Sequence, residues 1–304
     1  MREPGRQPGV VRRRALVTTS IRSFGASAGV STISADSVAE ALEAGQVLVF
    51  PELAFVLSAQ TLLLIAAAAA MAKNVSFDVN TGRLKGVKAP DAVPSPLRDA
   101  MSSFAEFSRQ TVVRLLPHYE SSLVMGRTSF RPAEIAGRRT SWRKDDTRLH
   151  VDSFPSTPVH GRRILRFFSN VNPDGKDRHW RVGEPLPRVA PRFLPRLHAP
   201  FPGAAALLEA MRLTKTRRSL YDHYMLQLHD AMKRDADFQA RTVQAEFRFP
   251  PGSSWLVYTD MVPHAAMSGR HAFEQTFYLP VERMCDPSKS PQRVLESLVG
   301  RALV

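Results

Sequence analysis

The sequence predicts an α+β protein with a mainly β core, in which one closed or sandwiched sheet is flanked by helices. Strand-like segments lie on both sides of a helical stretch at about 203–238, so they have to pair across it rather than form two separate domains. Hydrophobic residues make up 43% of the 304 residues, which is enough for a packed core. The 23 prolines predict many short connections between elements.

The N-terminal third combines two short elements, an uncharged run and a longer helix. The motif SVAE at 37–40 has the spacing of a capping box, which predicts a short helix followed by a strand at 46–50. The run 53–72 has no charged residue and contains eight alanines, so it fits either a buried helix or a membrane span. Apolar residues at helical spacing predict a helix over 96–116.

Strand-like segments dominate from about residue 124 onward. Apolar, β-branched and aromatic residues bounded by turn signals predict strands at 149–154, 163–171, 242–249, 255–260 and 273–279. A segment rich in proline and arginine predicts irregular structure up to Pro202, where the helical stretch begins. The strands before and after that stretch therefore belong to one core.

The chain is strongly basic, with a formal net charge of +14. Residues 1–35 hold six arginines and one acidic residue, which predicts a disordered basic extension and is also the composition of a transit peptide. Further basic tracts at 127–148 and 161–196 fit a solvated face, or a surface for a polyanion or an anionic membrane. The sequence lacks zinc-finger spacing, the aromatic motif of RNA-recognition domains, and a basic region joined to leucine heptads. Nucleic acid is therefore not an expected partner.

One constellation has the residue types of a metal site. His150 and Asp152 are two apart, so on a strand their side chains share a face, and His264 ends a strand of the later set. Two histidines and one carboxylate form the facial triad of non-haem Fe(II) oxygenases, which leaves three coordination positions open. 2-Oxoglutarate would fill two of them and O2 the third. From the residues alone, a structural role for the three side chains stays open.

Other chemistries lack their signatures. The chain has one cysteine, Cys285, which excludes a disulfide framework and any multi-cysteine metal site. It has no GxSxG nucleophile elbow and no GxGxxG or GxxxxGK[ST] loop, so the common hydrolase, dinucleotide and nucleoside triphosphate sites are not indicated.

Five segments resemble the 3-deoxy-D-manno-oct-2-ulosonic acid (Kdo) 3-hydroxylases. They lie at 148–158, 161–173, 180–185, 259–264 and 274–280. The resemblance implies an Fe(II)/2-oxoglutarate-dependent dioxygenase that hydroxylates C3 of a Kdo sugar in the inner core of lipopolysaccharide. It also implies a double-stranded β-helix at about 120–285, with the helical stretch as an insertion, inside one domain at 36–304.

The resemblance assigns roles to individual residues. It implies that His150, Asp152 and His264 bind the iron. Substrate-binding candidates are Arg163, Arg178 and Trp180, with the last two expected in a loop. Related oxygenases often place an arginine about ten residues after the distal histidine to hold 2-oxoglutarate, but Phe273-Glu274-Gln275 occupies that window here. Arg166 and Arg270 are the remaining candidates for this role. Strand alternation places Arg163 and Arg166 on opposite faces, so at most one of them faces the iron.

The resemblance also implies a partner and a location. The expected substrate is a Kdo-containing lipid A precursor, and the expected location is the cytoplasm, peripheral to the inner leaflet of a bacterial inner membrane. Two alternatives stay open. The same fold would suit another anionic substrate, or the chain would be a non-catalytic basic module that binds nucleic acid or membrane.

Overall fold

Two β-sheets form the core of this structure, a computed structural model that describes residues 20–25, 33–68, 72–87 and 95–304. In chain order the strands are β1 (Ile21–Ser23), β2 (Val47–Phe50), β3 (Val75–Asp78), β4 (Arg83–Lys85), β5 (Val124–Arg131), β6 (Arg163–Asn170), β7 (Arg178–Gly183), β8 (Gln244–Phe249), β9 (Ser254–Tyr258), β10 (His264–Ser268) and β11 (Ala272–Leu279). The large sheet has the order β1-β2-β9-β6-β11-β5-β3-β4, and the small sheet has the order β10-β7-β8.

Eight α-helices in the described residues surround the sheets. They are α1 (Ala35–Glu43), α2 (Ala59–Ala68), α3 (Ser95–Leu115), α4 (Leu186–Phe193), α5 (Ala204–Ala210), α6 (Leu220–Arg234), α7 (Ala236–Arg241) and α8 (Pro291–Val299). The long helix predicted at 96–116 is confirmed as α3.

Strands from before and after the helical stretch pair with each other, as predicted. In the large sheet β6 lies between β9 and β11, and in the small sheet β7 pairs with β8, all antiparallel. The stretch from α4 to α7 is therefore an insertion in a single two-layer core.

Side-chain alternation along β6 separates the two faces of the large sheet. Phe168 faces the small sheet, where its ring lies 5.0 Å from Trp180 and 5.1 Å from Trp255. Phe167 faces the other way and packs 6.2 Å from Phe104 of α3. Helix α3 thus covers the outer face, and the inner face is left for the small sheet and the site between them.

Several predicted helix boundaries were wrong. Helix α1 is capped by Ser34, whose hydroxyl accepts a hydrogen bond from the Ser37 amide, so the cap lies three residues earlier than the SVAE motif indicated. Helix α4 lies in the segment predicted to be irregular. Pro187 sits in its first turn, where a missing amide hydrogen costs nothing, whereas Pro191 lies inside the helix.

Three strand predictions near the site were also wrong. The segment 149–154 forms only an isolated bridge at His150 rather than a strand. Arg178 and Trp180 lie on β7 instead of a loop, and His264 begins β10 rather than ending a strand. In each case the pairing partner is distant in sequence, so local patterns did not indicate it.

The uncharged run 53–72 contains the ten-residue helix α2. Among the described residues no helix is both long and apolar enough to cross a membrane.

The sheet extends beyond the predicted 120–285 core. Residues 1–19 and 26–32 of the predicted basic extension lie outside the described residues. Ile21–Ser23, however, forms β1 and pairs in parallel with β2, so this part of the extension belongs to the sheet. Strands β2, β3 and β4 are also contributed from before residue 120.

Candidate metal centre

Three buried side chains from separate parts of the chain meet between the two sheets. One ligand atom from each of His150, Asp152 and His264 can be chosen so that all three atoms lie within 4.8 Å of one another. The three residues are 9%, 8% and 5% exposed, respectively. The predicted triad therefore converges at one buried point.

Backbone hydrogen bonds set this convergence. His150 and His264 are direct antiparallel partners, with N–H···O distances of 3.2 Å from His150 to His264 and 3.0 Å in the reverse direction. The Asp152 amide donates to the Thr259 carbonyl at 2.8 Å. The segment 150–152 thus runs beside the chain that leads from the end of β9 to the start of β10, and this pairing aligns all three side chains.

Both imidazoles are oriented by a hydrogen bond at Nδ1. His150 Nδ1 lies 2.7 Å from the Arg148 carbonyl oxygen, and His264 Nδ1 lies 2.9 Å from that of Val262. A carbonyl only accepts, so each Nδ1 carries the hydrogen and each Nε2 keeps its lone pair for a ligand. His150 Nε2 lies 3.9 Å from Asp152 Oδ1, which leaves space for an ion between them.

Burial and nearby charges put the three groups in the protonation states that a metal requires. Burial lowers the pKa of both imidazoles, and at His150 the neighbouring His264 and Lys233 lower it further. Burial opposes ionisation of Asp152, but the guanidinium of Arg166, with smaller contributions from His264, His150 and Thr259, outweighs this effect and holds the carboxyl pKa well below its usual range. Neutral imidazoles and an ionised carboxylate therefore coexist near neutral pH.

The donor set fits Fe(II). Two imidazole nitrogens and one carboxylate oxygen form the facial arrangement used by non-haem Fe(II) oxygenases. Asp152 Oδ2 is buried without an aligned hydrogen-bond donor, although buried polar atoms are normally paired. A bound cation would satisfy this carboxylate.

The triad opens into a polar cavity of about 130 Å³. Its wall comes from both sheets and from the segment 131–152, and consists of Arg131, Ile135, Arg138, Asp146, His150, Asp152, Arg166, Phe168, Arg178, Trp180, His264, Ala266 and Glu274. Four arginines face three carboxylates, so the wall carries a small positive excess before any ion is bound.

Glu274 organises two of these arginines. Its carboxylate lies 3.0 Å from Arg131 Nη2 and 3.0 Å from Arg166 Nη1. Arg166 Nε is in turn 3.3 Å from Asp152 Oδ2, close enough for an ion pair although the two atoms are not aligned for a hydrogen bond. Burial raises the pKa of Glu274, but the two guanidinium groups outweigh this and the net pKa is lowered. Glu274 stands in the window where related oxygenases often carry an arginine, and it supplies the opposite charge.

Arg178 differs from the other three arginines that line the cavity. Among the described residues, no carboxylate lies within ion-pair distance of it. It donates to the Gly269 carbonyl at 2.9 Å, while its Nε has no hydrogen-bond partner. Burial, with a smaller contribution from Arg131, lowers its pKa to about 10, which still leaves it charged at neutral pH. Gly269 has φ +108°, and a Cβ there would lie 3.0 Å from the Arg178 backbone, so glycine is required at this close approach.

Trp180 joins Arg178 to the triad. Its ring stacks on His264 with centroids 5.1 Å apart and an interplanar angle of 24°, and its indole Nε1 is buried without a partner. Arg178 lies two residues earlier on the same strand, so its side chain is about 6–7 Å further along the same face. Two unsatisfied donors, one of them charged, thus lie beside the triad.

Comparisons with known proteins agree with this geometry. Residues 27–302 match the family model described as 3-deoxy-D-manno-oct-2-ulosonic acid (Kdo) hydroxylase. The chain belongs to the Kdo hydroxylase family. A search of curated proteins found no match.

Solved structures of the Kdo hydroxylase KdoO, described as a non-haem Fe(II), α-ketoglutarate-dependent dioxygenase, are similar to the chain. The complex of KdoO with α-ketoglutarate and Fe(III) is 45% identical, with a TM-score of 0.88 over 93% of this chain and 97% of that one. The cobalt(II) complex is also 45% identical, with the same TM-score over 94% of this chain and 97% of that one. The complex with succinate and Fe(III) is 44% identical, with a TM-score of 0.88 over the same shares. These matches confirm the predicted jelly-roll-like fold, the enzyme class, and Fe(II), 2-oxoglutarate and O2 as cofactor and cosubstrates.

The structure does not bring Arg163 to the cavity of this Kdo hydroxylase. Its side chain is fully buried, its Nε lies 2.9 Å from Asp260 Oδ2, and its guanidinium lies 3.7 Å from the centre of the Tyr258 ring. Strand alternation directs Arg166 inward and Arg163 to the other side of β6. Arg163 is thus a structural residue, and we withdraw it as a substrate ligand.

Arg270 also lies elsewhere. Its side chain is 43% exposed and ion-paired with Asp174, and it is not part of the cavity wall. Because β10 and β11 are joined by a tight turn at 269–271, the residue six positions after His264 points to the surface instead of back to the triad. We therefore withdraw Arg270 as a cosubstrate ligand.

Sequence reasoning missed three residues of the site. Arg131 and Glu274 form the ion-pair network around Arg166, and His229 of α6 packs edge-on against the His150 ring at 5.1 Å. Glu274 carried a signal, since it was the charged residue in the window where an arginine was expected. Arg131 was one of many arginines in a basic tract, and His229 had no diagnostic spacing.

Proposed function

We propose that the chain is a hydroxylase that uses Fe(II), 2-oxoglutarate and O2 to act at C3 of a Kdo sugar on a lipid A precursor. The observation that supports this most strongly is the convergence of His150, Asp152 and His264 on a cavity that contains two unsatisfied donors, one of them the charged Arg178. Membership of the Kdo hydroxylase family supports the choice of sugar.

His150, Asp152 and His264 would hold the iron. When bound, Fe(II) supplies the oxygen activation that no side chain provides, and 2-oxoglutarate is converted to succinate. The role of the chain is geometric, because the Nδ1 hydrogen bonds fix both imidazoles and the Arg166 ion pair fixes the carboxylate. Burial of the site excludes bulk water from the reacting atoms.

Arg178 and Trp180 fit 2-oxoglutarate better than the sugar. Arg178 would hold the far carboxylate of a 2-oxoglutarate bound at the triad, with the Trp180 indole beside it. The Arg178 Nε and the Trp180 Nε1 are both unsatisfied, and Arg178 lacks a carboxylate partner among the described residues. Arg166 is already engaged by Asp152 and Glu274, so we assign it to positioning Asp152 rather than to the cosubstrate.

Replacing Arg178 by Ala should raise the KM for 2-oxoglutarate by about 10- to 100-fold, because a buried charge-assisted hydrogen bond contributes about 1.5–3 kcal/mol. The measurement is initial-rate succinate formation at varied 2-oxoglutarate. Arg270→Ala is the matched control, since it removes an arginine outside the cavity and should leave this KM unchanged. A normal KM in Arg178→Ala, or a raised one in Arg270→Ala, would reverse the assignment.

The positive excess of the cavity wall suits an acidic sugar. Kdo carries a carboxylate, and its attachment to lipid A would place the enzyme at the inner leaflet of a bacterial inner membrane, facing the cytoplasm. No separate feature of the described residues favours nucleic acid as the ligand.

The test of this function is a turnover assay with Kdo-lipid A, Fe(II), 2-oxoglutarate and labelled O2. We expect Kdo to gain one labelled oxygen atom at C3 for each succinate formed, as measured by mass spectrometry and NMR of the product. Succinate release driven only by a different acidic sugar would show that the substrate assignment is wrong. Absence of any substrate-driven succinate release would show that the enzyme assignment is wrong.

A further inference from the structure

An exposed apolar surface lies on the inserted helical segment. Of the ten large hydrophobic side chains that are exposed in the described residues, four lie within thirteen positions of one another, namely Phe201 (86%), Leu207 (60%), Met211 (60%) and Leu213 (55%). Leu207 and Met211 are one helical turn apart at the end of α5, so they share a face. Such a concentration of exposed apolar groups indicates a surface that contacts something other than water.

Basic residues are interleaved with these apolar side chains. Arg212, Lys215 and Arg217 are exposed and have no ion pair among the described residues, while Glu209 is the one acidic residue between 199 and 219. Phe201 and Arg217 also line the same shallow groove of about 520 Å³, together with Leu208. We call the four apolar and three basic residues the Phe201 surface.

The Phe201 surface is linked to the metal centre through a short loop. The Lys215 amide donates to the Ser156 carbonyl at 3.0 Å, and Arg218 donates to the carbonyl of Pro155. Ser156 is four residues after Asp152, so its Cα lies within about 15 Å of the Cα of that ligand. The Lys215 end of the Phe201 surface is therefore joined to the loop that follows Asp152.

We infer that the Phe201 surface docks the protein on an anionic lipid bilayer. Exposed apolar side chains enter the boundary between headgroups and acyl chains, and lysine or arginine side chains beside them pair with anionic headgroups. The inference rests on the proposed function in one respect, because a lipid-anchored sugar has to reach the cavity from a membrane.

A second exposed apolar group lies on and before α2 and does not share these features. Val56, Leu63 and Leu64 are exposed, but the sequence around them has no charged residue between 53 and 72. Helix α2 packs on α3, which covers the outer face of the large sheet, away from the cavity. This group lacks electrostatic attraction to an anionic surface and serves as an internal comparison.

The experiment measures sedimentation of the full chain with vesicles of phosphatidylcholine alone or with phosphatidylglycerol added. We expect the wild-type protein to bind the anionic vesicles. The triple variant Arg212→Gln/Lys215→Gln/Arg217→Gln should bind them about 100-fold more weakly, since each basic residue near such a surface is worth about fivefold. The variant Phe201→Ser/Leu207→Ser/Met211→Ser should lose binding by at least about tenfold.

Two matched controls separate the Phe201 surface from general charge and hydrophobicity. The variants Lys85→Gln/Lys176→Gln/Arg248→Gln and Val56→Ser/Leu63→Ser/Leu64→Ser change exposed residues elsewhere and should retain wild-type vesicle binding. Turnover of a deacylated, water-soluble Kdo substrate reports on folding and on the proposed function independently of the membrane. It should be unchanged in all four variants, whereas turnover of Kdo-lipid A in vesicles should fall only in the two surface variants.

Three outcomes would overturn the inference. The first is that wild-type protein does not bind anionic vesicles. The second is that the surface variants bind these vesicles as well as wild type does. The third is that the control variants lose as much vesicle binding as the surface variants. Surface variants that shift the oligomeric state without changing vesicle binding would show instead that this surface joins copies of the chain. Failure of the soluble Kdo substrate to react in every form, with normal vesicle binding, would contradict the proposed function and leave the docking surface standing.

Discussion

Replacing Asp152 by Ala is expected to lower the rate of succinate formation at least about 1000-fold. The carboxylate is the one anionic group in the triad and would be a direct metal ligand, and loss of an outer partner of a metal ligand already costs about 10–100-fold in comparable sites. The fold should persist, because Arg166 keeps its 3.0 Å ion pair with Glu274 when Asp152 is removed. The measurements are turnover with Kdo-lipid A, iron content per chain after reconstitution, and the thermal unfolding midpoint.

The matched control is Asp174→Asn. Asp174 is also a carboxylate paired with an arginine, but its partner Arg270 lies at the surface outside the cavity. This variant should keep its iron and its turnover. If Asp152→Ala retained more than about a tenth of the wild-type rate with a full complement of iron, the carboxylate would not be a ligand.

Replacing Arg163 by Met is expected to lower the free energy of unfolding by about 3–5 kcal/mol, the usual cost of leaving one member of a buried ion pair without its partner. Arg163 and Asp260 have side chains that are 0% and 1% exposed, and two hydrogen bonds of 2.9 and 3.2 Å join them. Met keeps most of the side-chain volume, so the loss reports on charge rather than on a cavity. Urea unfolding followed by circular dichroism measures it.

An exposed arginine gives the comparison for this variant. Arg109 makes two hydrogen bonds to Glu106 on the surface of α3, and Arg109→Met should change the free energy of unfolding by at most about 1 kcal/mol. The double variant Arg163→Met/Asp260→Leu should recover part of the stability, because it leaves no unpaired charge. Normal stability with a raised KM for Kdo-lipid A in Arg163→Met would instead restore a substrate role to this residue.

Local patterns were sufficient for the elements whose burial is periodic. The spacing of Leu97, Met101 and Phe104 predicted α3, because all three face the large sheet and are fully buried. The strand at 163–171 was predicted because a run of apolar and aromatic residues ends at turn residues, and β6 is observed at Arg163–Asn170. The two histidines and the carboxylate were identified from residue type together with the family resemblance.

Patterns failed where a residue's position depends on a distant partner. The segment with Arg178 and Trp180 is polar and short, and it becomes strand β7 because β8 and β10, at least 60 residues later, pair on its two sides. Alternation separated Arg163 from Arg166 but does not say which face of β6 is inner. That choice depends on the aromatic layer around Phe168 and on α3 covering Phe167.

The charges around Glu274 also could not be placed from the sequence alone. The sequence indicated that the expected arginine was absent, and Arg270 was the nearest base along the chain. In the structure, three of the arginines that line the cavity come from other strands, with Arg131 on β5, Arg166 on β6 and Arg178 on β7. Glu274 holds two of them in place, so the departure from the usual pattern is part of how this cavity is built.

His150, Asp152 and His264 should hold one Fe(II) with room for 2-oxoglutarate beside it. Anaerobic addition of Fe(II) and then 2-oxoglutarate, followed by visible absorption, tests this prediction without requiring turnover. We expect a weak charge-transfer band that saturates at about one iron per chain and is missing in Asp152→Ala. Absence of the band in the wild-type protein, or an equal band in the variant, would contradict it.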